Sequence, residues 1–383
     1  MVENKANVVI IGSGLGGYTL ARELRKTDAD IGIHILTRDS GRAYSKPMLS
    51  NAIAKGKDAD ALAMKTPAAA AEEFGATIET HVEIVSIKRD QSLVSTSNGD
   101  VTYDKLVLAL GADQINLPLD GDGVDGVLQV NDLEDYGHFR DTLGDSPKRI
   151  TIIGAGLIGC EFANDLVPAG HQVQVVDLAD WPMSRFVPQP MGDALRAALR
   201  AAGVEWHLGT SVRSVSKSDN GYSVQLASGV TLESDLVLSA VGLRARTQLA
   251  ADAGLDVDRG IQVNAALQTS DPCIYALGDC AEVMGRVLPF VMPLMTCARA
   301  LAKTLSGEST DVVYPPMPVV VKTPACPTVV LPPDAGVDGV WQLEGDAPDL
   351  TARFVGPNGA LLGFALTGGA TASRQALVKE MTG

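Results

Sequence analysis

The chain has 383 residues, 46% hydrophobic and 20% charged, enough for packed cores in two or three domains and against global disorder. Its 31 basic and 46 acidic residues leave a net charge of −15, which disfavours nucleic acid and anionic membranes as partners. No apolar run reaches the roughly 18 residues of a spanning helix, residues 1–7 are polar rather than signal-like, and the expected location is cytoplasmic.

Residues 7–11 read as a buried parallel strand, followed by Gly12, Ser13, Gly14 and Gly17 and a helical pattern over 18–25. In a Gly-x-Gly-x-x-Gly turn the first glycine permits the sharp bend. The second lets the backbone approach a pyrophosphate, and the third lets the helix pack close to its strand. The helix N-terminus then offers free N–H groups and a partial positive charge. A second strand over 31–36 comes at the right distance but ends in Thr37-Arg38-Asp39, so the usual acidic residue is one or two places late. Thr37 and Arg38 are the candidates for ribose or adenine, which weakens the ribose assignment and leaves the pyrophosphate one intact.

The phrase recurs at 149–153, with Gly154, Gly156, Ile158 and Gly159 opening a helix that Pro168 and Gly170 stop. The next strand ends in Asp177, 18 residues after Gly159, where a carboxylate accepts from both ribose hydroxyls of NAD. Leu-Ala-Asp follows, with no Arg for a 2′-phosphate, so NADH is expected over NADPH. Asp177 as a plain solvated loop carboxylate is the competing reading. Two dinucleotide sites imply hydride passing from nicotinamide to flavin. FAD would be resident at the first and NADH would visit the second.

The five cysteines, Cys160, Cys273, Cys280, Cys297 and Cys326, are scattered, with no Cys-x-x-Cys and no zinc-like spacing. They are expected to be reduced and mostly buried. Cys160 reads as a packing residue, and no metal site is expected.

The order of motifs resembles the two-dinucleotide flavoprotein reductases related to glutathione reductase. DKLVLALG, ending at Gly111, and DLVLSAVG, ending at Gly242, resemble the strands that close the two nucleotide domains, and TSDPCIYALGD, ending at Asp279, resembles the FAD-ribityl motif. Disulfide reductases carry a cysteine pair where this chain has RAYSKPMLS at 42–50. YSKPMLS, GLIGCEFANDL, LPFVMPLMTCARALA and KTPACP together resemble the bacterial rubredoxin reductases, over essentially the whole chain.

That resemblance implies an α/β fold of two Rossmann-like domains and a small α+β C-terminal domain. It implies an FAD domain at 1–114 and 244–306, an NAD domain at 115–243 and the small domain at 307–383, an antiparallel sheet with a final helix over 372–380. It places Lys46, followed by Pro47, beside flavin N5, with Glu161 as its carboxylate partner. Two unpaired surface charges are the alternative. Asp279 would bond the ribityl chain and Val291 N–H would face the flavin O2 side. Lys322 would lie near the pyrimidine or stand as an exposed strand-end lysine. Val82 would hold adenine through its backbone or pack in the core. Electrons would pass singly to rubredoxin, serving alkane hydroxylation or oxygen defence, from a monomer and through a transient interface. Rubredoxins are usually acidic, as is this chain, so a local basic or apolar patch must drive docking. Flavorubredoxin, ferredoxin or a nitrite-reducing partner, oxygen as acceptor, and an NADH-switched sensing protein are the rival readings.

Overall fold

The structure, a computed structural model, describes residues 7–382. The chain divides into two compact units, the first built from residues up to 46, 61–113 and 243–314, the second from 47–60, 114–242 and 315 onward.

The first unit centres on a five-stranded parallel sheet in the order Ile274–Ala276, Lys105–Leu108, Asn7–Ile11, Gly32–Leu36, Thr77–Glu79. Its central strands are near-continuous Val, Ile and Leu because both faces are covered, and Val8, Val9 and Ile10 are fully buried. Leu15–Thr27 is the helix that follows the first turn. Arg25 in its last turn donates to the carbonyls of Ala29, Ile31, Phe74 and Gly75, which fixes the chain where it leaves the helix. A three-stranded antiparallel sheet, Ile84–Lys88, Leu93–Thr96 and Gly99–Thr102, is a separate layer. Val82 therefore lies just before a strand rather than within one.

The second unit repeats the plan. Its parallel sheet runs Val204–Leu208, Gln172–Asp177, Arg149–Ile153, Leu236–Ser239, Val127–Leu128. The helix Leu157–Leu166 follows its glycine turn, and an antiparallel meander spans Val212–Ser218, Gly221–Leu226 and Thr231–Ser234. The C-terminal segment forms an antiparallel five-stranded sheet ordered Val319–Val321, Thr328–Leu331, Leu361–Thr367, Thr351–Val355, Val340–Glu344. The final helix is Arg374–Thr382, and its Leu377 packs with Val329, Phe364 and Leu366.

The units depart from the expected bounds in three ways: the C-terminal segment lies in the second unit rather than apart, and two stretches change sides, each for a visible reason. Residues 307–314 stay with the first unit because Val312 is buried in its core and donates its N–H to the Ala265 carbonyl at 2.8 Å. Residues 47–60 go with the second. The Ile53 N–H donates to Asp165 at 2.7 Å and the Tyr136 hydroxyl to the Lys57 carbonyl at 2.6 Å.

Candidate functional site

The two glycine turns are near copies. Gly12 has φ +112° and Gly154 has φ +109°, a region that L side chains rarely adopt. Each donates its N–H at 2.8 Å to the last residue but one or the last of the neighbouring strand, Gly12 to Leu36 and Gly154 to Val176. A Cβ on Gly17 would lie 1.9 Å from the Gly12 carbonyl oxygen, and one on Gly159 would lie 1.9 Å from that of Gly154. These four glycines are explained by the turn itself.

Gly14 and Gly156 are not. Their φ/ψ values, −61°/−173° and −73°/−168°, suit any residue, and a Cβ on either would meet nothing within 4 Å. Neither backbone strain nor packing calls for glycine there. What does is a second molecule held against the backbone at the start of a helix whose N-terminus no side chain caps. The residues thus fit two dinucleotide pyrophosphates, the pair that the resemblance implies being FAD and NADH.

The end of the second strand in each unit carries a carboxylate with a different duty. Asp39, late in sequence, turns inward. Its Oδ1 accepts from Ser13 Oγ at 3.0 Å, Thr37 Oγ1 at 2.8 Å and Gly41 N at 2.9 Å, tying the first glycine turn to the strand end. Ser13 and Thr37 are both 3% exposed, so their hydroxyls brace the turn, while Arg38 alone projects into solvent. Asp177 accepts from Ala155 N at 2.5 Å through Oδ2 and from Ala179 N at 2.7 Å through Oδ1. A carboxylate has about four acceptor sites, so Asp177 can hold its turn and still receive two ribose hydroxyls. Leu178 beside it is 77% exposed, and no cation follows before Arg185. Asp177→Ala is therefore expected to keep the flavin but raise KM for NADH about thirtyfold, roughly 2 kcal/mol; a stopped-flow titration of flavin bleaching by NADH reads this, and loss of colour instead would mean the two turns are assigned the wrong way round.

Ile158, 44% exposed, sits in the first turn of the second helix. Gly111 and Gly242 lie just past the strands Lys105–Leu108 and Leu236–Ser239, with φ of +71° and +118°, and their carbonyls accept from Arg246 N and Ile115 N. Val82 is fully buried and its N–H already donates to the Thr37 carbonyl at 2.9 Å, so that donor is committed.

Lys46 opens the short helix Lys46–Asn51, and Pro47 occupies its second position. Its Nζ lies 3.6 Å from Asp279 Oδ2. Asp279 stands in the tight turn Gly278–Cys280, with Gly278 at φ +80°. Lys46 was expected to pair with Glu161; the ion pairs described are those inside each unit, Lys46 with Asp279 and Glu161 with Lys322. Glu161, 3% exposed, accepts from Lys322 Nζ at 2.5 Å, Lys322 N at 2.9 Å and Ser50 Oγ at 2.5 Å. Lys322 follows the strand Val319–Val321, and its ammonium faces this carboxylate rather than standing alone. Val291 begins the helix Val291–Leu305, which no side chain caps, and is 36% exposed.

Three neighbours of Glu161 gave no sequence signal. Ser50 donates to it; Asn164 accepts from Ala325 N at 3.0 Å; Asp165, one turn on, accepts from Ile53 N and Ala54 N. Burial pushes the Asp165 carboxyl above the usual carboxylate range despite those two backbone N–H groups. One helical turn thereby anchors residues 50–54 and 322–325 to the helix that starts at Gly156.

The cysteines supply no relay. All five are free, and burial among apolar groups pushes the Cys160 thiol far up and the Cys280 thiol to about 11, away from the thiolate that exchange chemistry needs. No group of side chains among the described residues could hold a metal ion.

Residues 6–302 match the family described as pyridine nucleotide-disulphide oxidoreductase, and residues 311–381 match the rubredoxin binding C-terminal domain. The rubredoxin-NAD(+) reductase of Alcanivorax borkumensis is 48% identical over 375 residues, 98% of each chain. That of Acinetobacter baylyi is 46% identical over 382 residues, covering 97% of this chain and 96% of its own. Among solved structures, the covalent putidaredoxin reductase–putidaredoxin complex superposes with a TM-score of 0.90 at 27% identity, covering 98% of this chain and 93% of that one. Two like turns on two parallel sheets, and a sequence match across both, mean that the chain belongs to the pyridine nucleotide-disulphide oxidoreductase family, in a branch with a rubredoxin-binding C-terminal domain.

Proposed function

We propose that this chain is an NADH-dependent FAD flavoprotein reductase that delivers electrons one at a time to rubredoxin. The observation that carries the reading is the pair of matching glycine turns with no thiol relay, joined to a C-terminal segment of the rubredoxin-binding type. FAD, when bound, would supply hydride acceptance from NADH and release of single electrons. The protein's own residues bind and orient. The Gly14 and Gly156 backbones receive the two pyrophosphates, Asp177 receives the NADH ribose, and Lys46, held by Asp279, sets a positive charge at the ribityl turn. Glu161 fixes Lys322 and, through Ser50, the short helix that Lys46 opens.

No helix among the described residues is long and apolar enough to cross a membrane, and none of the five thiols is bridged, which supports the reducing cytoplasm as its location. Anaerobic mixing tests the function. The yellow protein should bleach on adding NADH and recover its colour on adding oxidised rubredoxin, with two rubredoxins reduced per NADH. Bleaching without recovery would refute the carrier, and a single reduction without turnover would indicate a sensor.

A further inference from the structure

The acidic residues of this chain are not spread evenly. From Val283 to Gly307 there is none, while Arg286, Arg299 and Lys303 fall inside that stretch of a molecule whose net charge is −15. Glu282, just before it, is buried and held by Arg259 and the Gly260 N–H. The stretch is therefore locally basic in sequence on an acidic protein.

Its geometry concentrates the charge. On the helix Val291–Leu305, Met292, Thr296, Arg299 and Lys303 are spaced four, three and four residues apart, so they form one stripe. Met292 is 51% exposed, Arg299 and Lys303 are exposed, and among the described residues neither cation has an ion-pair partner. Ahead of the helix, Val283 and Arg286 exchange N–H···O bonds around a tight turn of Met284 and Gly285. Met284 takes a φ of +48° there and remains 54% exposed. An unbranched apolar side chain held in the left-handed region at a solvent-facing tip costs conformational energy and returns no packing within the molecule. Arg286 lies 5.7 Å from the centre of the Tyr314 ring, and the Tyr314 hydroxyl lies 3.0 Å from Cys297 Sγ on the inner side of the helix.

Two contacts tie this face to the chemistry. Tyr314, which Arg286 faces, belongs to the segment that matches the rubredoxin-binding domain. The inner side of the helix meets the Asp279 turn, where a Cβ on Gly278 would touch Leu294 at 3.4 Å. A carrier over the stripe would stand one helix thickness from the residue that faces the ribityl chain.

We propose that Met284, Arg286, Met292, Arg299 and Lys303 form the first unit's docking surface for an acidic rubredoxin. This rests on the reading of the chain as a rubredoxin reductase. Exposed methionines suit a transient partner because they repack at little cost, and the flanking cations overcome the repulsion between two acidic proteins. Docking should therefore weaken as salt rises, against the net-charge expectation.

The test is steady-state turnover of the holoenzyme with NADH and either an acidic rubredoxin or ferricyanide, which needs no docking. Arg299→Glu/Lys303→Glu should raise KM for rubredoxin about tenfold and reverse its salt dependence, with ferricyanide turnover within about twofold of the parent. Arg299→Gln/Lys303→Gln, a gentler change on an exposed face, should raise KM about threefold with the same control. An unchanged KM and salt slope in either pair, with the parent active on rubredoxin, would overturn the surface and leave the reductase standing. A parent that reduces ferricyanide but not rubredoxin would overturn the reductase reading and the surface with it.

Discussion

Gly17→Ala protein should purify colourless, whereas Gly159→Ala protein should purify yellow and fail to bleach with NADH. The added Cβ would sit 1.9 Å from a backbone carbonyl in each case, far inside contact distance, and the opposing atom is not the end of a flexible side chain. The helix must back away from its strand, rotating the N–H groups that face the pyrophosphate. Overpacking of this kind costs about 1–3 kcal/mol of stability, and the lost phosphate contacts should reduce cofactor affinity at least a hundredfold, about 2.7 kcal/mol. The informative control is Gly14→Ala with Gly156→Ala. Their backbones already suit alanine and a Cβ there touches no protein atom, so Tm before flavin loading should hardly move. Affinity for FAD in the first, and for NADH in the second, should still fall about tenfold, because the methyl takes space that a phosphate needs. Flavin content by absorbance, apoprotein Tm and KM for NADH separate the cases. If Gly14→Ala binds FAD as the parent does, the open space beside Gly14 is not a cofactor cradle.

These turns were legible in the sequence because everything that makes them is local. Strand, three glycines and helix lie in one short run, Asn7 to Thr27, and the φ values and close approaches follow from that spacing. The place of Asp177 at its strand end was legible for the same reason. Asp39 was half legible. Its offset weakened a ribose assignment, but its capture of Ser13 and Thr37 depends on how the strand end folds back, which spacing does not encode. The domain plan was readable as far as the glycine and strand motifs reach. The detour of 47–60 into the second unit was not, since it follows from hydrogen bonds to Asp165 across more than 100 residues of chain.

The ion pairs show the limit most clearly. The family resemblance named two lysines and two carboxylates, Lys46, Lys322, Glu161 and Asp279. Which lysine meets which carboxylate is a matter of side-chain reach in three dimensions, and the described partners are Lys46 with Asp279 and Lys322 with Glu161. Ser50, Asn164 and Asp165 had no pattern to betray them. A lone Ser, Asn or Asp in a short apolar stretch looks alike whether it caps, solvates or clamps.

Glu161 is the buried group on which most of this second-unit network converges, and Glu161→Leu should lower holoprotein stability by about 3 kcal/mol. The carboxylate is 3% exposed and takes Lys322 Nζ, the Lys322 N–H and the Ser50 hydroxyl, so its loss orphans a cation and two neutral donors together. The Lys322 side chain keeps 26% exposure and can reach water, which holds the cost below that of a fully enclosed charge. Glu161→Leu/Lys322→Met should recover most of the loss, because the orphaned charge disappears with its partner and only the Lys322 N–H and Ser50 hydroxyl remain unmet. Ser50→Ala alone should cost about 1 kcal/mol. Urea unfolding of the parent, Glu161→Leu, Lys322→Met and the double variant closes a double-mutant cycle, with a coupling between residues 161 and 322 expected near 2 kcal/mol. Function follows the same logic one step further. Ser50 is four residues beyond Lys46 in the short helix, so releasing it loosens the element that presents that lysine. NADH-driven flavin reduction should slow about tenfold in Glu161→Leu and stay slow in the double variant. Stability that returns without rate would mean that the carboxylate positions as well as holds; rate that returns with stability would confine Glu161 to a structural part.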